Sequence, residues 1–101
     1  MRIELLVVPD CPNEAPAYER LRLALDDAGR FDIEIMVHTV TEGTVRSAPA
    51  FAGSPTVLID GVDPFADQAT PAANLSCRVY RSADGVSGAP SLDELRRVVC
   101  R

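Results

Sequence analysis

The chain has no lysine and no tryptophan, and it has only one histidine. All ten basic residues are arginine, and fifteen acidic residues outnumber them, so the formal net charge is −5. Only three phenylalanines and two tyrosines are available to stack on bases, and no basic cluster follows one face. Nucleic-acid binding depends on such basic surfaces. We therefore expect no nucleic-acid partner.

Long apolar runs are also missing. No run approaches the roughly 20 residues that a helix needs to cross a bilayer, and Glu4 interrupts the first apolar stretch. That stretch resembles a strand more than a secretory signal. The sequence therefore predicts no membrane partner and a cytoplasmic location.

Cysteine is scarce and irregularly spaced, at positions 11, 77 and 100. There is no C-x-x-C pair, and the usual zinc-ligand spacings are absent. The sequence therefore predicts no metal site, and it suggests no cofactor. An odd cysteine count in a cytoplasmic chain also argues against a disulfide framework. A reactive thiol, a thiol pair and an inert thiol remain open.

The length and composition of the chain fit one domain spanning residues 1–101. A chain of 101 residues is long enough for one domain and too short for two. Its apolar content of 47% can form a core without disulfides.

Hydrophobic spacing predicts a strand, a helix and a strand in the first forty residues. Residues 2–8 form a buried strand, and residues 31–40 form a second one. Asn13 is the expected N-cap of a helix that runs to about Ala28 and stops at Gly29. One side of this helix collects the apolar residues Ala17, Tyr18, Leu21, Ala24, Leu25 and Ala28. This order favours a parallel, right-handed βαβ unit.

The second half of the chain has weaker signals. We expect a short helix over residues 41–48, a buried strand over 57–59 and a turn at Asp60-Gly61. A long loop over 62–76 then leads to a strand over 77–80, antiparallel to the third strand. After a polar turn over 82–90, Ser91 and Glu94 form a capping box. The last helix has an apolar face of Leu92, Leu95, Val98 and Val99.

Cys11 lies where the first strand ends and the first helix begins. A thiol in the first turn of a helix faces unpaired backbone N–H groups and the positive end of the helix dipole. Both favour the thiolate, which is the reactive form of cysteine. Cys11 is therefore the candidate catalytic residue.

Three short segments resemble a known family. They are Cys11-Pro12-Asn13, Gly53-Ser54-Pro55-Thr56 and Cys77-Arg78-Val79-Tyr80. Over nearly its whole length the chain resembles the thioredoxin-like superfamily. More closely, it is similar to small bacterial thioredoxin-like proteins that are also labelled DF-family (seleno)proteins or associated with alkylmercury lyases.

The resemblance implies a glutaredoxin-type α/β fold with the order β-α-β-α-β-β-α, a four-stranded mixed sheet and three helices. It also implies that Cys11 is the active cysteine. Pro55 would follow a cis peptide bond and pack beside it. Pro12, Ser54, Pro55 and Thr56 would then position the substrate.

The sequence departs from the dithiol pattern of this family at Glu14. That carboxylate stands where the second cysteine of C-x-x-C would be, and its charge opposes the activation of Cys11. Cys77 is a possible resolving thiol. Hairpin geometry would place it beyond the Cα separation of about 7 Å that a disulfide allows, and a buried structural role is the commoner outcome.

Other candidate residues have ordinary structural explanations. Cys100 has no predicted function, and His38 is expected to be a surface histidine of a strand. Tyr18 is expected in the core, although it could cover the thiol. Arg78 and Arg81 could hold an anionic ligand such as a glutathione carboxylate, but solvated strand-edge charges are the simpler interpretation.

Three functions remain open. The first is a single-cysteine redox protein, a possible thiol–disulfide oxidoreductase that reacts with a disulfide, a peroxide or a glutathione adduct. Its partner would be a protein or a low-molecular-weight thiol such as glutathione. The second is a soft-metal binder in a mercury-handling system, because thiolates are the preferred ligands of soft metals. The third is a non-catalytic thioredoxin-like interaction domain.

Overall fold

The computed structural model describes residues 1–41, 53–65, 80–82 and 85–99. In these ranges the chain forms five strands and two helices. They are β1 (Ile3–Val7), α1 (Glu14–Asp27), β2 (Ile35–Thr39), β3 (Thr56–Ile59), β4 (Tyr80–Ser82), β5 (Gly85–Ser87) and α2 (Leu92–Val99).

The main sheet is mixed and has the strand order β2-β1-β3. Strands β1 and β2 are parallel, with Ile3 opposite Ile35, which confirms the predicted parallel βαβ unit. Strand β3 runs antiparallel on the other side of β1, with Leu6 opposite Thr56. As a result, the last residues of β1 and the first residues of β3 lie at the same end of the sheet.

The core lies between one face of this sheet and the two helices. Side chains alternate across a strand, so Ile3, Leu5 and Val7 share one face of β1, and all three are fully buried. They belong to one cluster with the buried residues of α1 and α2. The helical members are Ala17, Leu21, Ala24, Leu25, Leu95, Val98 and Val99. This small α/β arrangement follows from the period-2 and period-3.6 apolar patterns.

Helix α1 begins and ends where the sequence predicts. Asn13 is the N-cap residue, although its side chain makes no capping hydrogen bond. At the other end, Gly29 adopts the left-handed conformation with φ +75°. The Gly29 N–H donates to the Asp26 carbonyl (3.0 Å), and the Arg30 N–H donates to the Leu25 carbonyl (2.8 Å). These two bonds form a Schellman motif and satisfy carbonyls that the helix leaves unpaired.

The start of α2 confirms Ser91 as the predicted N-cap and Glu94 as its partner, with one of the two hydrogen bonds of a capping box. The Glu94 N–H donates to the Ser91 hydroxyl oxygen (3.2 Å), and the Ser91 hydroxyl donates to the Glu94 carboxylate (3.1 Å). The first bond satisfies one of the free N–H groups of the first turn.

The predicted turn at Asp60-Gly61 is also confirmed. Both residues have positive φ, +53° and +82°. Ile59 and Val62 exchange two backbone hydrogen bonds across them, at 2.8 and 3.1 Å. Asp-Gly fits a two-residue hairpin loop because both positions require the left-handed region.

Strand β2 is shorter than the predicted strand over residues 31–40. The Arg22 guanidinium donates to the carbonyls of Arg30 (3.0 Å) and Ile33 (2.6 Å). Within the predicted strand, the Ile33 carbonyl accepts from Arg22 and the Ile33 N–H donates to the Arg30 carbonyl (3.4 Å), so neither group joins a strand ladder. Alternating apolar residues around Ile33 therefore overstate the length of the strand.

The prediction of a polar turn over residues 82–90 is wrong, because β5 lies inside it. β4 and β5 form an antiparallel ribbon with Tyr80 opposite Ser87, and Gly85 has φ +114°. Short polar strands carry little apolar alternation, so the sequence pattern missed β5. Within the described residues, the ladders form a three-stranded sheet and this separate ribbon. The single four-stranded sheet that was predicted is not among them.

Several predicted features fall outside the described residues. These are the short helix after Thr41, most of the loop over 62–76, and the part of the fourth strand before Tyr80. In the described part of the chain, no helix combines the length and apolar character needed to cross a membrane.

Tyr18 corrects the predicted helix face, because 39% of it is exposed. The helical spacing places it near the apolar stripe, but it lies at the edge of that stripe and the core does not cover it.

Two leucines of α1 provide a matched test of this core. Leu21 is fully buried and Leu23 is 51% exposed. Leu21→Ala should lower the free energy of unfolding by about 2–5 kcal/mol, because it leaves a cavity. Leu23→Ala should change it by less than about 0.5 kcal/mol. Urea denaturation followed by circular dichroism measures both, and equal effects of the two substitutions would contradict the packing described.

Candidate functional site

Cys11 lies in the connection between β1 and α1. The preceding residue, Asp10, has φ +57°, a conformation that non-glycine residues adopt infrequently. The Cys11 carbonyl accepts a hydrogen bond from the Glu14 N–H (3.2 Å), which closes the turn into the helix. Cys11 is a free thiol with 9% of its surface exposed. Its sulfur is thus held at the margin of the core.

Ser54 brings a hydroxyl group to this sulfur. It is fully buried, it precedes Pro55, and the peptide bond between the two residues is cis, as the resemblance implied. The Ser54 hydroxyl donates to Cys11 Sγ at 2.9 Å. Cys11 and Ser54 are 43 positions apart in sequence. They can meet because β1 ends at the same end of the sheet where β3 begins.

A backbone group also binds this hydroxyl. The Val8 N–H donates to Ser54 Oγ at 3.1 Å. A backbone N–H can only donate, so Ser54 Oγ accepts here, and the hydroxyl proton remains available to the sulfur. A hydrogen bond donated to an anionic form stabilises that form. The arrangement therefore suits a sulfur that carries or develops negative charge.

Tyr80 of β4 holds the other side of the same turn. Its hydroxyl donates to the Pro55 carbonyl, and only 1% of the residue is exposed. Its ring meets the ring of Phe65 edge to face, with centroids 5.4 Å apart and an interplanar angle of 86°. This contact places the tyrosine within the core behind the turn at Pro55.

The start of α1 is packed against the segment that precedes α2. A Cβ atom added to Gly88 would lie only 2.4–2.7 Å from the side-chain amide atoms of Asn13. A larger residue at position 88 would therefore require the Asn13 side chain to move. The Asn13 amide thus lies against Gly88, and it makes no hydrogen bond to the first turn of α1.

The structure brings five of the predicted site residues to one end of the sheet. Cys11, Ser54 and Pro55 are neighbours as described above. Thr56 is fully buried at the start of β3, and its hydroxyl donates to the Gly53 carbonyl. Pro12 is exposed directly after the cysteine.

Glu14 is the first residue of α1 and is partly buried. It occupies the position that a second cysteine would have in a C-x-x-C motif. The site therefore has one thiol in its helix-start segment.

Other predicted candidates fall elsewhere. Cys77, Cys100 and Arg78 are outside the described residues. Arg81 is exposed on β4. His38 Nε2 lies 3.2 Å from a carboxylate oxygen of Glu4, and 42% of its side chain is exposed. As expected, it is a histidine at the surface of a strand.

Two contributors to the site were missed by sequence reasoning: the Val8 N–H and the Tyr80 hydroxyl. A backbone N–H leaves no signal in a sequence. Tyr80 belongs to the family-like segment Cys77-Arg78-Val79-Tyr80. Its contact with Pro55 spans 25 positions, however, and depends on tertiary structure.

No group of three or more His, Cys, Asp or Glu side chains in the described ranges is placed to hold a metal ion. Comparisons of the chain with models of protein families, with curated proteins and with solved structures found no match.

Proposed function

We propose that this protein is a thioredoxin-like, single-cysteine redox protein that exchanges thiols and disulfides at Cys11. The observation that carries this proposal is the buried Ser54 hydroxyl that donates to Cys11 Sγ at 2.9 Å. A cysteine that only filled space in a core would need no oriented polar hydrogen at its sulfur. A sulfur that attacks and leaves as an anion is stabilised by one.

The arrangement of elements supports a thioredoxin-like fold. In the β2-β1-β3 sheet, β1 is parallel to β2 and antiparallel to β3. The cysteine opens the helix that follows β1, and a cis-proline turn opens β3 beside it. Thioredoxin-like proteins place their active cysteine and cis-proline in these positions.

The first chemical step forms a mixed disulfide. The Cys11 thiol gives its proton to solvent, and its thiolate attacks one sulfur of a disulfide R–S–S–R. The R–S–S–R bond breaks as the new S–S bond to Cys11 forms. The second R–S group leaves as a thiolate and takes a proton from water.

The second step needs a thiol from outside the helix-start segment, because Glu14 replaces the second cysteine of a dithiol motif. A free thiol R′–SH loses its proton and attacks the R sulfur of the mixed disulfide, which forms R–S–S–R′. Cys11 leaves as a thiolate, and the Ser54 hydroxyl stabilises the returning charge. Low-molecular-weight thiols such as glutathione, or a protein thiol, can supply R′–SH.

Access to the sulfur determines which disulfides can react. Cys11 is only 9% exposed, whereas Pro9, Asp10 and Pro12 around it are exposed. A reacting disulfide therefore approaches through this turn.

The proposal predicts a specific adduct on Cys11. The protein is mixed at pH 7 with bis(2-hydroxyethyl) disulfide, which is small and neutral. We expect one hydroxyethylthio group on the Cys11 peptide, identified by peptide mass spectrometry, and its release by reduced glutathione. Cys11→Ser should abolish this adduct. If the modification occurs only at Cys77 or Cys100, or if Cys11 stays unmodified as in a purely structural domain, the proposal is wrong.

The role of the hydroxyl is tested by Ser54→Ala. We expect the rate of exchange at Cys11 to fall roughly 2- to 12-fold, which corresponds to the ~0.5–1.5 kcal/mol of one net hydrogen bond. The rate is followed by the mass of the Cys11 peptide over time.

Ser91→Ala is the matched control, because it also removes a hydrogen bond of a serine hydroxyl, here a partly buried one. It should lower the free energy of unfolding by about 1 kcal/mol through loss of the helix cap. The exchange rate at Cys11 should stay unchanged in this variant. Equal exchange rates in Ser54→Ala and the unsubstituted chain would exclude a role for the hydroxyl.

A further inference from the structure

We infer that Tyr80 is a positioning residue for Cys11 and acts through Pro55 and Ser54. The inference rests on the proposed exchange function of Cys11. It assigns a role to a residue on β4, which is not part of the three-stranded sheet beside which Cys11 lies. Tyr80 does not touch the reacting sulfur in this account.

The Tyr80 hydroxyl has a buried partner on the site turn. It donates to the Pro55 carbonyl, and both residues are almost completely buried. A buried carbonyl without a donor is destabilising, so this hydroxyl satisfies a group that water does not reach. The bond therefore ties the turn to β4.

The direction of the hydroxyl is set by the ring that carries it. Phe65 is 4% exposed and meets the Tyr80 ring at nearly a right angle. Edge-to-face pairs of this kind are favourable and have a preferred geometry. The phenol is therefore held in one orientation, and its hydroxyl points at one place on the turn.

The turn is thus held from two sides. The Val8 N–H, directly after β1, binds the Ser54 side chain, and the Tyr80 hydroxyl on β4 binds the Pro55 carbonyl. Ser54 and Pro55 are adjacent, so a shift of the Pro55 peptide unit moves Ser54 as well. The hydroxyl-to-sulfur bond of 2.9 Å is sensitive to such a shift, because hydrogen bonds weaken quickly with distance and angle.

This connection distinguishes positioning from simple stabilisation. A tyrosine that only stabilised the fold would affect the population of folded protein and leave the folded site unchanged. A positioning tyrosine changes the reactivity of Cys11 in molecules that are fully folded. The two roles can therefore be separated by measuring exchange under conditions where every variant is folded.

The test is Tyr80→Phe, which keeps the ring and removes the hydroxyl. We expect exchange with bis(2-hydroxyethyl) disulfide at Cys11 to slow by roughly 2- to 10-fold at pH 7, the effect of about one hydrogen bond. Rates are measured at a temperature where circular dichroism shows each variant folded.

A double substitution tests the route through Ser54. If Tyr80 acts by aiming the Ser54 hydroxyl, Tyr80→Phe should cause no further loss of rate in a chain that already carries Ser54→Ala. Residues that share one interaction show such non-additivity, whereas independent residues give multiplied effects. Multiplied effects would overturn the proposed route.

Tyr18→Phe provides the matched control. It makes the same chemical change at a tyrosine that is 39% exposed on α1, and it should leave the rate unaltered. An unchanged rate in Tyr80→Phe would overturn the inference alone. Absence of any exchange at Cys11 in the unsubstituted chain would instead overturn the proposed function, and the inference with it.

Discussion

The hydrogen bond from the Ser54 hydroxyl to Cys11 Sγ is the contact on which the site depends. It joins the end of β1 to the start of β3, and it requires both the antiparallel pairing of these strands and the tight turn at Pro55. The Val8 N–H donates to the same hydroxyl oxygen and holds it in place. The hydrogen bond at the Cys11 sulfur therefore depends on the pairing of β1 with β3, two strands that are distant in sequence.

The surroundings of Cys11 combine opposing electrostatic influences. The start of α1 and the Ser54 hydroxyl favour negative charge on the sulfur. The carboxylates of Asp10 and Glu14 lie one and three positions away along the chain and disfavour it. The exposed Asp10 carboxylate acts weakly, because water and salt screen it. The buried Ser54 donor at 2.9 Å is not screened in this way.

Much of the first half of the fold could be predicted from sequence. A nearly continuous apolar run identified β1, and the helical spacing between Asn13 and Gly29 gave the bounds of α1. The capping box at Ser91 and the Asp60-Gly61 turn were also predicted, because each depends on interactions within four residues. Local rules are sufficient where the deciding hydrogen bonds are local.

The features that were missed depend on distant contacts. Tyr18 fits the apolar spacing of α1, but its exposure depends on what other segments cover. The length of β2 is limited by Arg22, eleven positions before the Ile33 carbonyl that it binds. The contact of Tyr80 with Pro55 and that of Ser54 with Cys11 connect segments far apart in sequence. The candidate cysteine could therefore be named in advance, but its hydrogen-bond partner and the residues that hold that partner could not be derived from local pattern.

The most direct measurement of the central claim is the alkylation rate of Cys11 in the folded protein. The rate with iodoacetamide at pH 7 is determined on the Cys11 peptide and compared with free cysteine under the same conditions. If the Ser54 hydroxyl and the helix start activate this sulfur, Cys11 reacts faster than free cysteine. A rate equal to or below that of free cysteine would contradict the account, because it would identify Cys11 as a buried, inert thiol.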